Sequence, residues 1–76
     1  MAKYHVQIED DKGQHLDVHE VNGPYQDVEN FINATDWGHI FKVFEDTPLL
    51  FGKGDYVRYE RNTTGLFDIR RVPFQK

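Results

Sequence analysis

Residues 4–21, YHVQIEDDKGQHLDVHEV, alternate apolar and polar side chains almost without fault. Tyr4, Val6, Ile8, Leu16 and Val18 take one parity, and His5, Gln7, Glu9, His15, Asp17 and His19 the other. Successive side chains of a strand point to opposite faces, so this period of two specifies two half-buried strands, Lys3–Glu9 and Gln14–Val21. A three-residue loop, Asp11-Lys12-Gly13, places Gly13 where such hairpins need a left-handed residue. That loop predicts Ile8 opposite Leu16 and Val6 opposite Val18, one wholly apolar face, because a one-residue slip would exchange the faces.

The remaining elements follow from similar patterns. In NGPYQDVENFINATDWG, Pro24 suits the first position of a helix, after a turn at Asn22-Gly23. Tyr25, Val28, Phe31, Ile32 and Thr35 recur at helical spacing and form an apolar stripe opposite Asp27 and Glu29. The helix should end near Ala34 or Thr35, with Trp37 packed over its end and Gly38 permitting the reversal. HIFKVFE, 39–45, has only Lys42 polar in its interior and reads as a central strand buried on much of both faces. Leu49-Leu50-Phe51 is a short apolar knot bracketed by Pro48 and Gly52, either a short edge strand or an exposed patch. YVRYERNTTGLFDIRRV reads as a second hairpin. Its loop, Thr63-Thr64-Gly65, pairs Tyr59 with Ile69, Glu60 with Asp68 and Val57 with Arg71, and Pro73 ends the last strand. The predicted fold is therefore α+β: a mostly antiparallel sheet of four to six short strands with one amphipathic helix on one face, in the order β-β-α-β-(β)-β-β. Residues 1–76 are expected to form a single small domain, near the lower size limit for one hydrophobic core.

Composition narrows the chemistry. The chain has neither cysteine nor serine, which removes disulfides, thiolate metal sites and the common hydroxyl and thiol nucleophiles. Adjacent acids such as Glu45 and Asp46 point apart on a strand, so no paired-carboxylate site is predicted. We therefore expect a non-enzymatic protein without a cofactor. No apolar leader or membrane-length stretch is evident, and cytoplasmic location without membrane association is the corresponding expectation. Small size suggests an accessory product of a bacterium or phage.

Charge is unevenly placed. Residues 1–46 carry ten acids against three lysines, a net −7, whereas residues 47–76 carry six basic residues against three acids, a net +3. Arg and Tyr are frequent interface anchors, and the basic half contains both. The predicted interaction surface combines Leu49, Leu50, Phe51 and Lys53 with Tyr56, Arg58, Arg61 and Arg70. Its expected partner is another protein, with the chain itself a monomer or weak homodimer. The alternative is nucleic acid, since arginines interleaved with rings are how single strands are held. The acidic balance of the whole chain opposes a polyanion. Gly52-Lys53-Gly54 lacks the spacing of a phosphate loop and reads as a turn.

The predicted register also sets His5 opposite His19 with Asp17 diagonal to it, while His15 pairs across to Glu9. His5, Asp17 and His19 could in principle hold zinc with one open position, or sense pH. A flat strand face offers no enclosing wall, so the expectation is the solvated side of the sheet with no metal.

Overall fold

In the computed structural model, which describes residues 2–46 and 54–73, five strands form one antiparallel sheet with one helix on one face. The elements are β1 (Lys3–Glu9), β2 (His15–Asn22), α1 (Tyr25–Ala34), β3 (Ile40–Glu45), β4 (Tyr56–Arg61) and β5 (Phe67–Val72). The spatial order is β2-β1-β3-β4-β5, so β3 is central, as its apolar run requires, and β2 and β5 are the edges. The bracketed strand around Leu49-Leu50-Phe51 lies outside the described residues.

The two hairpin loops are built alike. In the first, Asp10 Oδ1 accepts the N–H groups of Lys12 (2.9 Å) and Gln14 (2.8 Å), and Gly13 takes φ 81°. In the second, Asn62 Oδ1 accepts those of Thr64 (3.0 Å) and Leu66 (3.1 Å), and Gly65 takes φ 86°. The Asx carbonyl satisfies amides that a tight loop would leave unpaired, and glycine accepts the left-handed backbone. Beyond the second loop the ladder runs without a shift, pairing Tyr59 with Ile69, Glu60 with Asp68 and Val57 with Arg71, as predicted.

The first hairpin departs from its predicted register. Glu9 faces His15, as expected from the loop, but the next pair is Ile8 with Asp17, leaving Leu16 as an extra residue on β2. This is a β-bulge: two residues of one strand oppose one of the other, and every later side chain changes face. Val6 therefore faces His19, Tyr4 faces Val21, Gln7 faces Val18 and His5 faces Glu20. The Asp17 carboxylate accepts the Val18 N–H at 2.8 Å, satisfying a backbone donor at the irregularity. Leu16 and Val18, predicted core residues, are each 45% exposed on the helix-free face, and Val21 is buried beside Tyr4 instead. His19 moves to the helix side, where its ring stacks on Phe31 at a centroid distance of 4.1 Å.

The core is the layer between α1 and the sheet. Pro24 occupies the N-cap, and the predicted stripe faces inward: Val28, Ile32 and Thr35 are buried, with Tyr25 and Phe31 packed at its margin. Beneath it lie Tyr4, Val6 and Ile8 of β1, Val21, Phe41 and Val43 of β3, and Tyr59 of β4. Burying Val28 and Ile32 contributes roughly 3–6 kcal/mol together. Two polar contacts fix the helix across the sheet. The Tyr25 and Tyr59 hydroxyls hydrogen-bond to each other. Arg61 reaches back to donate to the Thr35 carbonyl at 2.9 Å and the Gly38 carbonyl at 3.3 Å, with its guanidinium 4.7 Å from the Phe67 ring centroid. Trp37, predicted as a plug over the helix end, is 47% exposed, and Arg61 supplies that closure instead. Gly38 turns the chain with φ 86°, and a Cβ there would lie 2.5 Å from Ile8 Cγ2.

Candidate functional site

With one helix on one face, the other face of the sheet has no covering element among the described residues, and the strand register arranges its side chains into three rows. Gln7 of β1, Lys42 of β3, Arg58 of β4 and Arg70 of β5 are successive partners across four strands. The next row is His5, Phe44, Tyr56 and Val72. The third is Glu9, Ile40, Glu60 and Asp68. Cations thus form a band across β3, β4 and β5, flanked on one side by the rings of β3 and β4 and on the other by the acids of β4 and β5. Period-two alternation puts each band on the same face, and the in-register ladders align them.

The rings of Phe44 and Tyr56 lie 5.0 Å apart, and Lys42 Nζ stands 6.0 Å from the Tyr56 centroid. Two of the three cations are already engaged: Lys42 with Glu9 at 3.2 Å, and Arg58 with Glu60 at 2.7 Å. The hydrogen bond from Arg58 holds the Glu60 carboxyl below the ordinary carboxylate range, assisted by the Arg58 charge and by His39. Arg70 forms no ion pair among the described residues, and Arg71, on the opposite face, reaches Asp55 at 3.4 Å. A shallow cleft of about 390 Å³ adjoins the acid band at the hairpin tip, lined by His39, Glu60, Arg61, Asn62, Thr63 and Asp68.

The predicted interaction residues separate. Tyr56, Arg58 and Arg70 share the helix-free face. Arg61 lies on the other face, with its guanidinium committed to the end of the helix. Leu49, Leu50, Phe51 and Lys53 lie outside the described residues. Phe44 and Lys42 were missed as surface groups, because an apolar run reads as burial on both sides. Their signal was the parity of Lys42 with Phe44 and Ile40.

The bulge disperses the histidine face. His5 stays on the open face opposite Glu20, while His19 and Asp17 pair with Val6 and Ile8 on the helix side, so the three cannot meet at one ion. His5 lies between two carboxylates, Asp46 at 2.6 Å from Nδ1 and Glu20 at 3.6 Å from Nε2. Its two ring nitrogens face opposite ways, so the trio does not converge on one point. Among the described residues no group of three His, Asp or Glu side chains is placed to hold a metal ion, and no helix is long and apolar enough to cross a membrane.

No family model matches the chain, and neither does any curated protein or solved structure.

Proposed function

We propose that this protein is a non-enzymatic, cytoplasmic binding protein that engages another protein through the helix-free face of β3, β4 and β5. The observation carrying this reading is the pair of adjacent bands, Lys42-Arg58-Arg70 beside Phe44-Tyr56-Val72, on a sheet face without a covering layer among the described residues. Aromatic and arginine side chains supply contact area and directional hydrogen bonds together, which is why they anchor interfaces. The acid band beside them gives the face both signs of charge, and a protein surface can match both.

Nucleic acid is the second reading, favoured by the stacked Phe44 and Tyr56 next to cations. Against it, Glu9 and Glu60 neutralise Lys42 and Arg58, and a polyanion would meet the acid band Glu9-Glu60-Asp68. The test is affinity capture on the immobilised chain from a nuclease-treated extract, comparing wild type with Tyr56→Ala and Arg70→Glu. Leu16→Ala, on the far side of the same face, serves as the control. Protein captured by wild type and by the control, but lost with both hairpin variants, is the expected result. Equal capture by all four, or a salt-sensitive shift of short oligonucleotides by the wild type, would overturn the proposal.

A further inference from the structure

The two edges of the sheet differ in their fitness as templates for another strand. β2 is interrupted by the bulge at Leu16, which breaks the regular spacing an added strand needs. β5 pairs with β4 through six consecutive, unshifted positions, from Tyr56 with Val72 to Arg61 with Phe67, and its other side pairs with no strand of the described sheet. In such a strand alternate N–H and C=O groups point outward in a regular line.

The side chains along this edge select what can pair with it. Arg70 and Arg71 project on opposite faces, and Asp68 is the one acid of this strand, so the edge carries a net positive charge. Opposite charges across a strand pair are stabilising, which favours a carboxylate-bearing strand on this edge. Arg70 in particular lacks an ion pair among the described residues. On the helix side, α1 stops short of β5. Ile69 is 60% exposed and Leu66 68% exposed, beside an open cleft of about 420 Å³ whose lining includes Ile32, Tyr59 and Phe67. An added strand would cover Ile69 while one of its acids meets Arg70 and another joins Asp55 at Arg71.

We propose that β5 is a docking edge for an extended acidic segment of a partner protein, which joins the sheet as a further strand beside β5. This inference rests on the protein-binding reading above and specifies the partner. Antiparallel to β5, the complementary order is apolar, acidic, acidic, apolar, neutral, apolar, facing Val72, Arg71, Arg70, Ile69, Asp68 and Phe67 in turn. Main-chain hydrogen bonds supply the attachment and alternate side chains the selectivity.

The probe is the capped peptide Val-Glu-Glu-Val-Thr-Val, titrated into the full isotope-labelled chain, with Val-Lys-Lys-Val-Thr-Val as the charge-reversed control. The expected result is shift changes centred on Phe67–Val72 and slowed exchange of the outward β5 amides. Affinity for the acidic peptide should fall at least about fivefold with Arg70→Glu, about what one cross-strand charge pair contributes. The control peptide should bind wild type weakly and Arg70→Glu better. Equal binding of both peptides to wild type, absence of binding up to about 1 mM, or shifts confined to Lys42, Phe44 and Tyr56 without amide protection on β5 would overturn the edge proposal. A captured protein still lost with Tyr56→Ala would leave the open-face reading standing in that case.

Discussion

Replacing Val21 and Val18 separately by Asn tests the bulge, because the alternation pattern and the observed register assign these two residues opposite environments. Val21 is 8% exposed and packs in the core, whereas Val18 is 45% exposed on the open face. Full burial of a valine side chain stabilises by about 1.5–3 kcal/mol, and an amide left there without partners costs about 1–3 kcal/mol more. Val21→Asn should therefore lose roughly 3 kcal/mol. Val18→Asn forfeits only partial burial and keeps its amide in water, so its loss should stay below about 1 kcal/mol. For a chain of this size a kilocalorie shifts Tm by about 4–8 °C, so the expected shifts are about 12–24 °C and below about 8 °C. Urea unfolding followed by circular dichroism gives the free energies directly, provided the m-value is unchanged. Equal losses, or a greater loss at Val18, would refute the bulged register and restore the uniform alternation.

Three further outcomes follow from the same packing. Arg61→Ala should cost about 1.5–3 kcal/mol in urea unfolding, since it removes charged hydrogen bonds to the Thr35 and Gly38 carbonyls, whereas Arg70→Ala should stay within about 0.5 kcal/mol. Gly38→Ala should destabilise by about 2–4 kcal/mol, combining a φ of 86° with a Cβ placed 2.5 Å from Ile8 Cγ2; Gly13→Ala, with open space around it, should cost about 1–2 kcal/mol. Burial pushes the Tyr4, Tyr25 and Tyr59 phenols above their ordinary value of 10.0, with the mutual hydrogen bond raising Tyr25 further. All three are protonated in both states below that pH, so their contribution is intact there. Above it the unfolded chain ionises first, and stability should fall by up to about 1.4 kcal/mol per pH unit per tyrosine. Urea midpoints measured across that range should fall less steeply for Tyr25→Phe/Tyr59→Phe.

Much of the fold was legible in the sequence because its signals are local. Period-two alternation defined both hairpins, helical spacing of Tyr25, Val28, Phe31 and Ile32 defined the helix, and Gly13 and Gly65 marked the loops. In the second hairpin a regular ladder carried loop geometry unchanged to Val72, so its pairing, and with it the shared face of Tyr56, Arg58 and Arg70, was predictable from residue count alone.

Tertiary structure decided the rest. A bulge adds one residue to one strand, and alternation within β2 does not reveal it, since Leu16 and Val18 are as apolar as Val21. Their assignment depends on which of them the helix and Tyr4 can cover, a contact between segments far apart in the chain. Strand parity alone sets Arg61 on the face opposite Arg58 and Arg70, but its partners there, the carbonyls at the end of the helix, come only with the tertiary fold. The same holds for the band formed by Lys42, Arg58 and Arg70, which exists only because β3 lies between β1 and β4 in register. Sequence determines what each strand can present; the pairing of strands determines which of those side chains stand together.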